Sequence, residues 1–398
     1  MIKTGITQFM FATAVIGLVA GLCGCDIVAD LLTIPGDGND GGGDILYDAI
    51  SIDIGVVVPL TGAYADPYGI SMQRGFNLAR DEINQTPISP VNINFIVEDD
   101  MSALDGTVAA VERLIEAGVP AIVGIPVSTH AAQAFPIAQA NQVVAFSPSS
   151  SAAGLSSIGD YIFRAALAVD RMIPAGVKAT HAQLAYERVA MIYDDADVYS
   201  ISSHEHMTAA LEELGVEVVT TQTFQTVDTD FTAQLTAVKD ANPDAVFISA
   251  LPPTAVDILI QGWEIGVASQ YIVPQFGINE VESAGEAGEG AITFTNWVST
   301  SDNPINQAFV ESYQAAYGGT PSPWAAQSYA TLIILYYALG EAMSMIPTMA
   351  PDSMAIRHAL AGIKDVDTNL GNFSFDANGE AVYEPVLLVV RNGSLELF

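Results

Sequence analysis

Ile52-Asp-Ile-Gly-Val-Val-Val-Pro59 is an apolar, β-branched run without polar alternation, which predicts a strand buried on both faces. The segment that follows places Met72, Phe76, Ala79 and Ile83 at helical spacing, so a helix is expected over Met72–Ile83. The alternation then repeats, with strands at Val91–Glu98, Ala121–Gly124 and Val143–Ser147 and helices at Thr107–Ala117 and Ala131–Ala140. A second series reads as strands at Arg188–Tyr193, Val216–Thr223, Ala245–Ala250 and Tyr271–Pro274. Helices near Ser203–Leu214, Phe231–Asp240 and Ala255–Ile265 separate them. Strand and helix alternating in this way is the pattern of parallel βαβ units. The fold class is therefore α/β, with two doubly wound parallel-sheet lobes.

A chain of 398 residues exceeds the usual size of one core, which also favours two domains. The stretch Trp324–Met345 is apolar nearly all round, but Gln327, Ser328 and Glu341 bound it to the length of a buried core helix rather than a bilayer span. Phe373–Phe375, a turn at Asp376-Ala-Asn-Gly379 and Val386–Arg391 read as late strands that close a sheet.

At the other end, Lys3, an apolar run from Phe9 to Ala20 and the exit Leu22-Cys-Gly-Cys25 have the order of an export signal. The last four residues resemble the bacterial lipobox, which implies that residues 1–25 end in a lipidated Cys25. Both cysteines lie in this segment, so the remaining chain has no disulfide and no thiolate metal site. Residues 26–50, centred on Asp37-Gly-Asn-Asp-Gly-Gly-Gly-Asp44, are too polar to bury a core. They read as a flexible tether that holds the body about 25–30 Å from a membrane. With 12 Lys+Arg against 46 Asp+Glu and a net charge of −34, nucleic acid and anionic membrane surfaces are poor partners.

Several stretches resemble the branched-chain amino-acid binding family of periplasmic substrate-binding proteins, the type I fold that serves ABC importers. They are Ile54-Gly-Val-Val-Val-Pro-Leu-Thr-Gly62 with Tyr68-Gly69, Glu98-Asp-Asp100, Gly124 to Ala138, Phe146-Ser-Pro-Ser-Ser-Ser151, and Phe375-Asp376 with Gly379. The resemblance implies lobe one at 51–167 and 297–375 and lobe two at 168–296 and 376–398, joined by a hinge that the chain crosses more than once. It further implies a monomer that captures a small ligand between its lobes and delivers it to an ABC permease. A sensory protein that reports the same ligand to a membrane receptor is the alternative.

In doubly wound sheets, ligands sit beyond the carboxyl ends of the strands, where helix N-termini offer free N–H groups and partial positive charge. Ser128 and Thr129 follow the strand ending at Gly124, and Ser149–Ser151 follow the next one, so both clusters are placed to meet an anionic group. Hydroxyls in such places also cap helices. The resemblance gives Ser128 the ligand carboxylate, Ser149 a backbone carbonyl contact, and Ser151 a hydroxyl and amide contact. It makes Tyr68 and Trp324 aromatic walls and Tyr199 the closing residue of lobe two. One departure stands out: where family members carry an acid for the ligand ammonium, this chain has Pro274-Gln275-Phe276-Gly277. Gln275 and Phe276 then suggest a carboxylate or amide ligand without an ammonium, unless Asp197 or Glu280 restores the charge.

His204-Glu205-His206 is a poor metal motif, because residues two apart on a helix face nearly opposite ways. No nucleophile elbow, phosphate loop or catalytic cysteine is present, and catalysis and cofactors are not indicated.

Overall fold

A computed structural model describes residues 49–87, 89–345 and 349–398. The export signal, Cys25 and nearly all of the tether lie outside the described residues. In lobe one, β1 (Ile50–Val58), α1 (Ile70–Gln85), β2 (Val91–Asp99), α2 (Leu104–Glu116), β3 (Ala121–Gly124), α3 (Ser128–Ala140), β4 (Val144–Ser147) and β5 (Ile162–Arg164) build a parallel sheet of order β2-β1-β3-β4-β5. The opening strand behaves as its composition requires. Ile52, Ile54, Val56 and Val58 enter one core and Val57 enters the core on the other face. Each such side chain removed from water contributes roughly 1.5–3 kcal/mol.

Lobe two repeats the plan with α4 (Val169–Leu184), β6 (Arg188–Asp194), α5 (Val198–Leu214), β7 (Glu217–Phe224), α6 (Thr232–Ala241), β8 (Ala245–Ser249), α7 (Pro252–Ile265), β9 (Gln270–Ile272), α8 (Ile278–Ala284) and β10 (Ile292–Thr295). Its parallel strands run β7-β6-β8-β9-β10, the same relative order as lobe one. The chain then returns to lobe one through α9 (Pro304–Tyr317), α10 (Pro323–Met345) and α11 (Ser353–Ala361). α10 packs in the lobe-one core through Tyr329, Leu332, Leu335 and Leu339, and among the described residues no helix is long and apolar enough to cross a membrane. β11 (Val366–Thr368), β12 (Gly371–Phe375) and β13 (Ala381–Val382) form a small antiparallel sheet. β14 (Val386–Arg391) and β15 (Ser394–Leu397) extend the lobe-two sheet in antiparallel fashion.

The structure moves several expected boundaries. β1 starts at Ile50, inside the stretch read as tether. β13 pairs with β12, Ala381 sits in the lobe-one core, and Tyr383 packs against the cores of both lobes. α5 begins at Val198, not Ser203, because the Asp197 side chain accepts from the Ser200 N–H and caps it. β5 and β10, of three and four residues, were too short to stand out in the sequence.

Candidate functional site

Each sheet changes winding direction between its first and third strands, β1 and β3 in lobe one and β6 and β8 in lobe two. The crevice beyond those strand ends is where doubly wound folds place ligands. The β3 exit is forced by close approach. Gly124 lies at φ +109°, and a Cβ there would come within 2.0 Å of the Val57 carbonyl oxygen. Ile125 follows at φ +58°, a conformation that costs a β-branched residue of order 1–3 kcal/mol. It is held by its N–H donating to the Val57 carbonyl at 2.9 Å and by its carbonyl accepting from Ser147 Oγ at 3.0 Å.

A serine network then fixes the loop after β4. Ser147 Oγ accepts from the N–H groups of Ser149 and Ser150 at 3.3 and 3.1 Å. Ser128 Oγ accepts from those of Ser151 and Ala152 at 3.1 and 3.2 Å. Ser149 Oγ donates to the Pro126 carbonyl at 3.3 Å. The acceptor side of the Ser128 hydroxyl is thus committed to bracing the serine loop, and only its proton is left to face a ligand. Ser150, part of the expected serine cluster but given no role of its own there, buries a hydroxyl with no partner.

From the opposite lobe, Gln275 Nε2 donates to Ser151 Oγ at 2.8 Å. Gln275 stands at φ +58°. Thr129 closes a second bridge, donating to Asp197 Oδ1 at 2.7 Å and accepting from the Val198 N–H at 2.9 Å. A third runs from the Ala153 N–H to Ser202 Oγ at 3.1 Å. Thr129 thus spends its proton and one lone pair on the other lobe, at a position where the sequence suggested a ligand contact.

The aromatic residues converge beside these bridges. Tyr68 and Trp324 meet edge to face with centroids 4.8 Å apart, and Tyr64 meets Tyr68 in the same way at 5.9 Å. Burial raises the Tyr68 hydroxyl well above its ordinary range, with the carboxylate of Glu280 the next cause. Burial, then Asp197, does the same for Tyr199, which is buried on the first turn of α5.

Glu280 stands three residues beyond the Pro274–Gly277 stretch, which itself carries no acid. It is 3% exposed. Its Oε2 accepts from the Gly277 N–H at 2.9 Å, one half of a capping box, while Oε1 has no partner. A Cβ added at Gly277 would touch both Glu280 Oε2 and Pro323, which puts the carboxylate against the start of α10. Burial raises its pKa; the backbone N–H groups at the start of α8 and then the proximity of the Trp324 indole, which lies outside hydrogen-bond geometry, oppose the shift. The indole N–H itself remains without a hydrogen-bond partner. Phe276 turns its ring into the lobe-two core with Val281 and Ala284.

A family profile for periplasmic binding proteins matches residues 51–393. A Leu/Ile/Val-binding protein homolog of Brucella abortus is 26% identical over 378 residues, covering 93% of this chain and 95% of the relative. The crystal structure of a leucine binding protein from Thermotoga maritima superposes with a TM-score of 0.81 at 25% identity, over 87% of this chain and 97% of that one. A branched-chain amino acid transporter substrate-binding protein of Streptococcus pneumoniae, in complex with isoleucine, gives 0.79 at 26% identity, over 87% and 98%.

Proposed function

This chain belongs to the periplasmic binding protein family, and we propose that it captures a small α-amino acid with an apolar side chain between its lobes for delivery to an ABC permease. The observation that carries this reading is Glu280. A buried carboxylate oxygen without a partner is costly unless something cationic meets it, and an ammonium beside Tyr68 and Trp324 supplies that partner. Ser128 at the start of α3, with Ser150 and Ser151 of the serine loop after β4, offers O–H groups to the other end of the ligand. The Tyr68–Trp324 pair provides apolar area for its body. The similar leucine binding protein and the isoleucine complex support the same class. The lobes act by binding and closing, without chemistry on the ligand. Cys25 tethers the protein by lipid to the outer face of a bacterial membrane. A thermal-shift screen tests the ligand class: leucine, isoleucine or valine at about 100 times its Kd should stabilise the protein by about 2.7 kcal/mol. No shift with any aliphatic amino acid would refute the assignment.

A further inference from the structure

Behind the serine loop lies a charge that ligand contact does not use. Arg164, the last residue of β5, has no solvent exposure. Its Nη1 donates to the carbonyl oxygens of Ser150 and Ala152 at 3.0 and 2.6 Å, and its Nε to Ser156 Oγ at 3.0 Å. Nη2 donates to the carboxylate of Glu380, 216 residues away in sequence. A buried ion pair is a poor way to gain stability, since apolar side chains of similar size often do as well or better. The geometry instead suits positioning, because the planar guanidinium fork fixes several acceptors at once.

Those acceptors bracket the residue that meets the other lobe. The carbonyls of Ser150 and Ala152 flank Ser151, whose hydroxyl receives Gln275. The Ser151 carbonyl is itself held, accepting from the N–H of Val169 at the start of α4 at 2.8 Å. Glu380 belongs to the segment on which the chain returns to lobe two. That segment is pressed onto β5: the Arg164 N–H donates to the Gly379 carbonyl at 3.1 Å, and a Cβ at Gly379, where φ is +76°, would stand 2.5 Å from the Ile162 carbonyl. The Glu380 N–H donates to Asp376 Oδ1 at 3.0 Å, and Asp376 Oδ2 accepts from Arg171 of α4 at 2.6 Å. Three consecutive carbonyls of the loop are thus tied to two segments that pass between the lobes.

We infer that Arg164 and Glu380 form a positioning couple that sets the backbone of the serine loop and links its orientation to the lobe crossings. Ligand capture at Ser150 and Ser151 is then tuned from behind the site. This rests on the reading of the serine loop as a ligand contact.

The test uses Glu380→Gln, which keeps shape and removes the charge, and Arg164→Lys, which cannot hold two carbonyls and a carboxylate in one plane. Hydrogen exchange of the ligand-free protein reads the loop directly. The amides of Ser149–Ala153 should exchange about tenfold or more faster in both variants, while those of β1 and β6 stay at wild-type rates. Calorimetry with leucine should show affinity reduced about tenfold or more. Glu98→Gln, which breaks the surface pair with Arg113, should change neither. Wild-type loop exchange and wild-type affinity in a folded Glu380→Gln protein, with only a lowered Tm, would reduce the couple to a structural brace and overturn the inference. If the wild-type protein binds no amino acid, the functional reading fails and loop exchange alone decides the positioning role. If Arg164→Lys does not fold, Glu380→Gln carries both measurements.

Discussion

Replacing Glu280 with Gln tests ligand recognition while leaving the fold nearly undisturbed. The Gln oxygen can still accept from Gly277, so the α8 N-terminus keeps its bond. What disappears is the negative charge on the unpartnered oxygen. A hydrogen bond to a charged group contributes about 1.5–3 kcal/mol, so leucine should bind roughly 10- to 150-fold more weakly. 4-Methylpentanoate, which lacks the ammonium, should bind at least as well as it does to wild type, and wild type should prefer leucine over it. Stability should move the other way. Because burial raises the Glu280 pKa, the charged form weakens the fold above that raised value, and the penalty is absent below the ordinary 4.5. At neutral pH the Gln variant should therefore unfold at the same temperature or higher. In wild type, leucine affinity should fall as pH drops through the raised Glu280 pKa toward 4.5, and Glu280→Gln should flatten that part of the profile. Calorimetric titrations of both ligands at pH 7 and at pH steps below it provide the assay. Wild-type leucine affinity in the variant would refute the role given to Glu280 and return the cavity to ligands without an ammonium.

Thr129→Val removes both bonds that Thr129 makes across the lobes, so stopped-flow measurements should show leucine leaving about tenfold faster with little change in association rate. Ser128→Ala strands the N–H groups of Ser151 and Ala152, and should lower both stability and affinity, each by about 1–3 kcal/mol, as read by denaturant unfolding and calorimetry. Cys25→Ala, expressed in a bacterial host, should lose detergent partitioning; equal membrane retention of both forms with uncut N-termini would point to a protein anchor instead.

The residues by themselves determined the repeating architecture. Apolar β-branched runs alternating with helical spacing can be satisfied only by sheets covered on both faces, and Ile52–Pro59 announced this before any contact was known. They also located the serines at the ends of two neighbouring strands, since the order of strand and loop is local information; the first cluster opens α3, while the second leads through a short turn into β5 rather than into a helix. The chemistry inside the cleft was decided by tertiary structure. Gln275 adopts a left-handed backbone conformation that nothing in its side chain demands, and its amide reaches Ser151 while the ring of Phe276 joins the core. Glu280 looks like any first-turn acid in sequence, and becomes a buried, half-paired carboxylate only because α10 of the other lobe arrives against Gly277. Ser128 and Thr129 were legible as hydroxyls at the exit of β3, but their partners, Ser151 and Ala152 for one and Asp197 for the other, come from separate loops. Arg164 and Glu380 make the point most sharply: 216 residues of chain must fold before a guanidinium and a carboxylate share one buried site, and no periodicity or local propensity encodes that meeting.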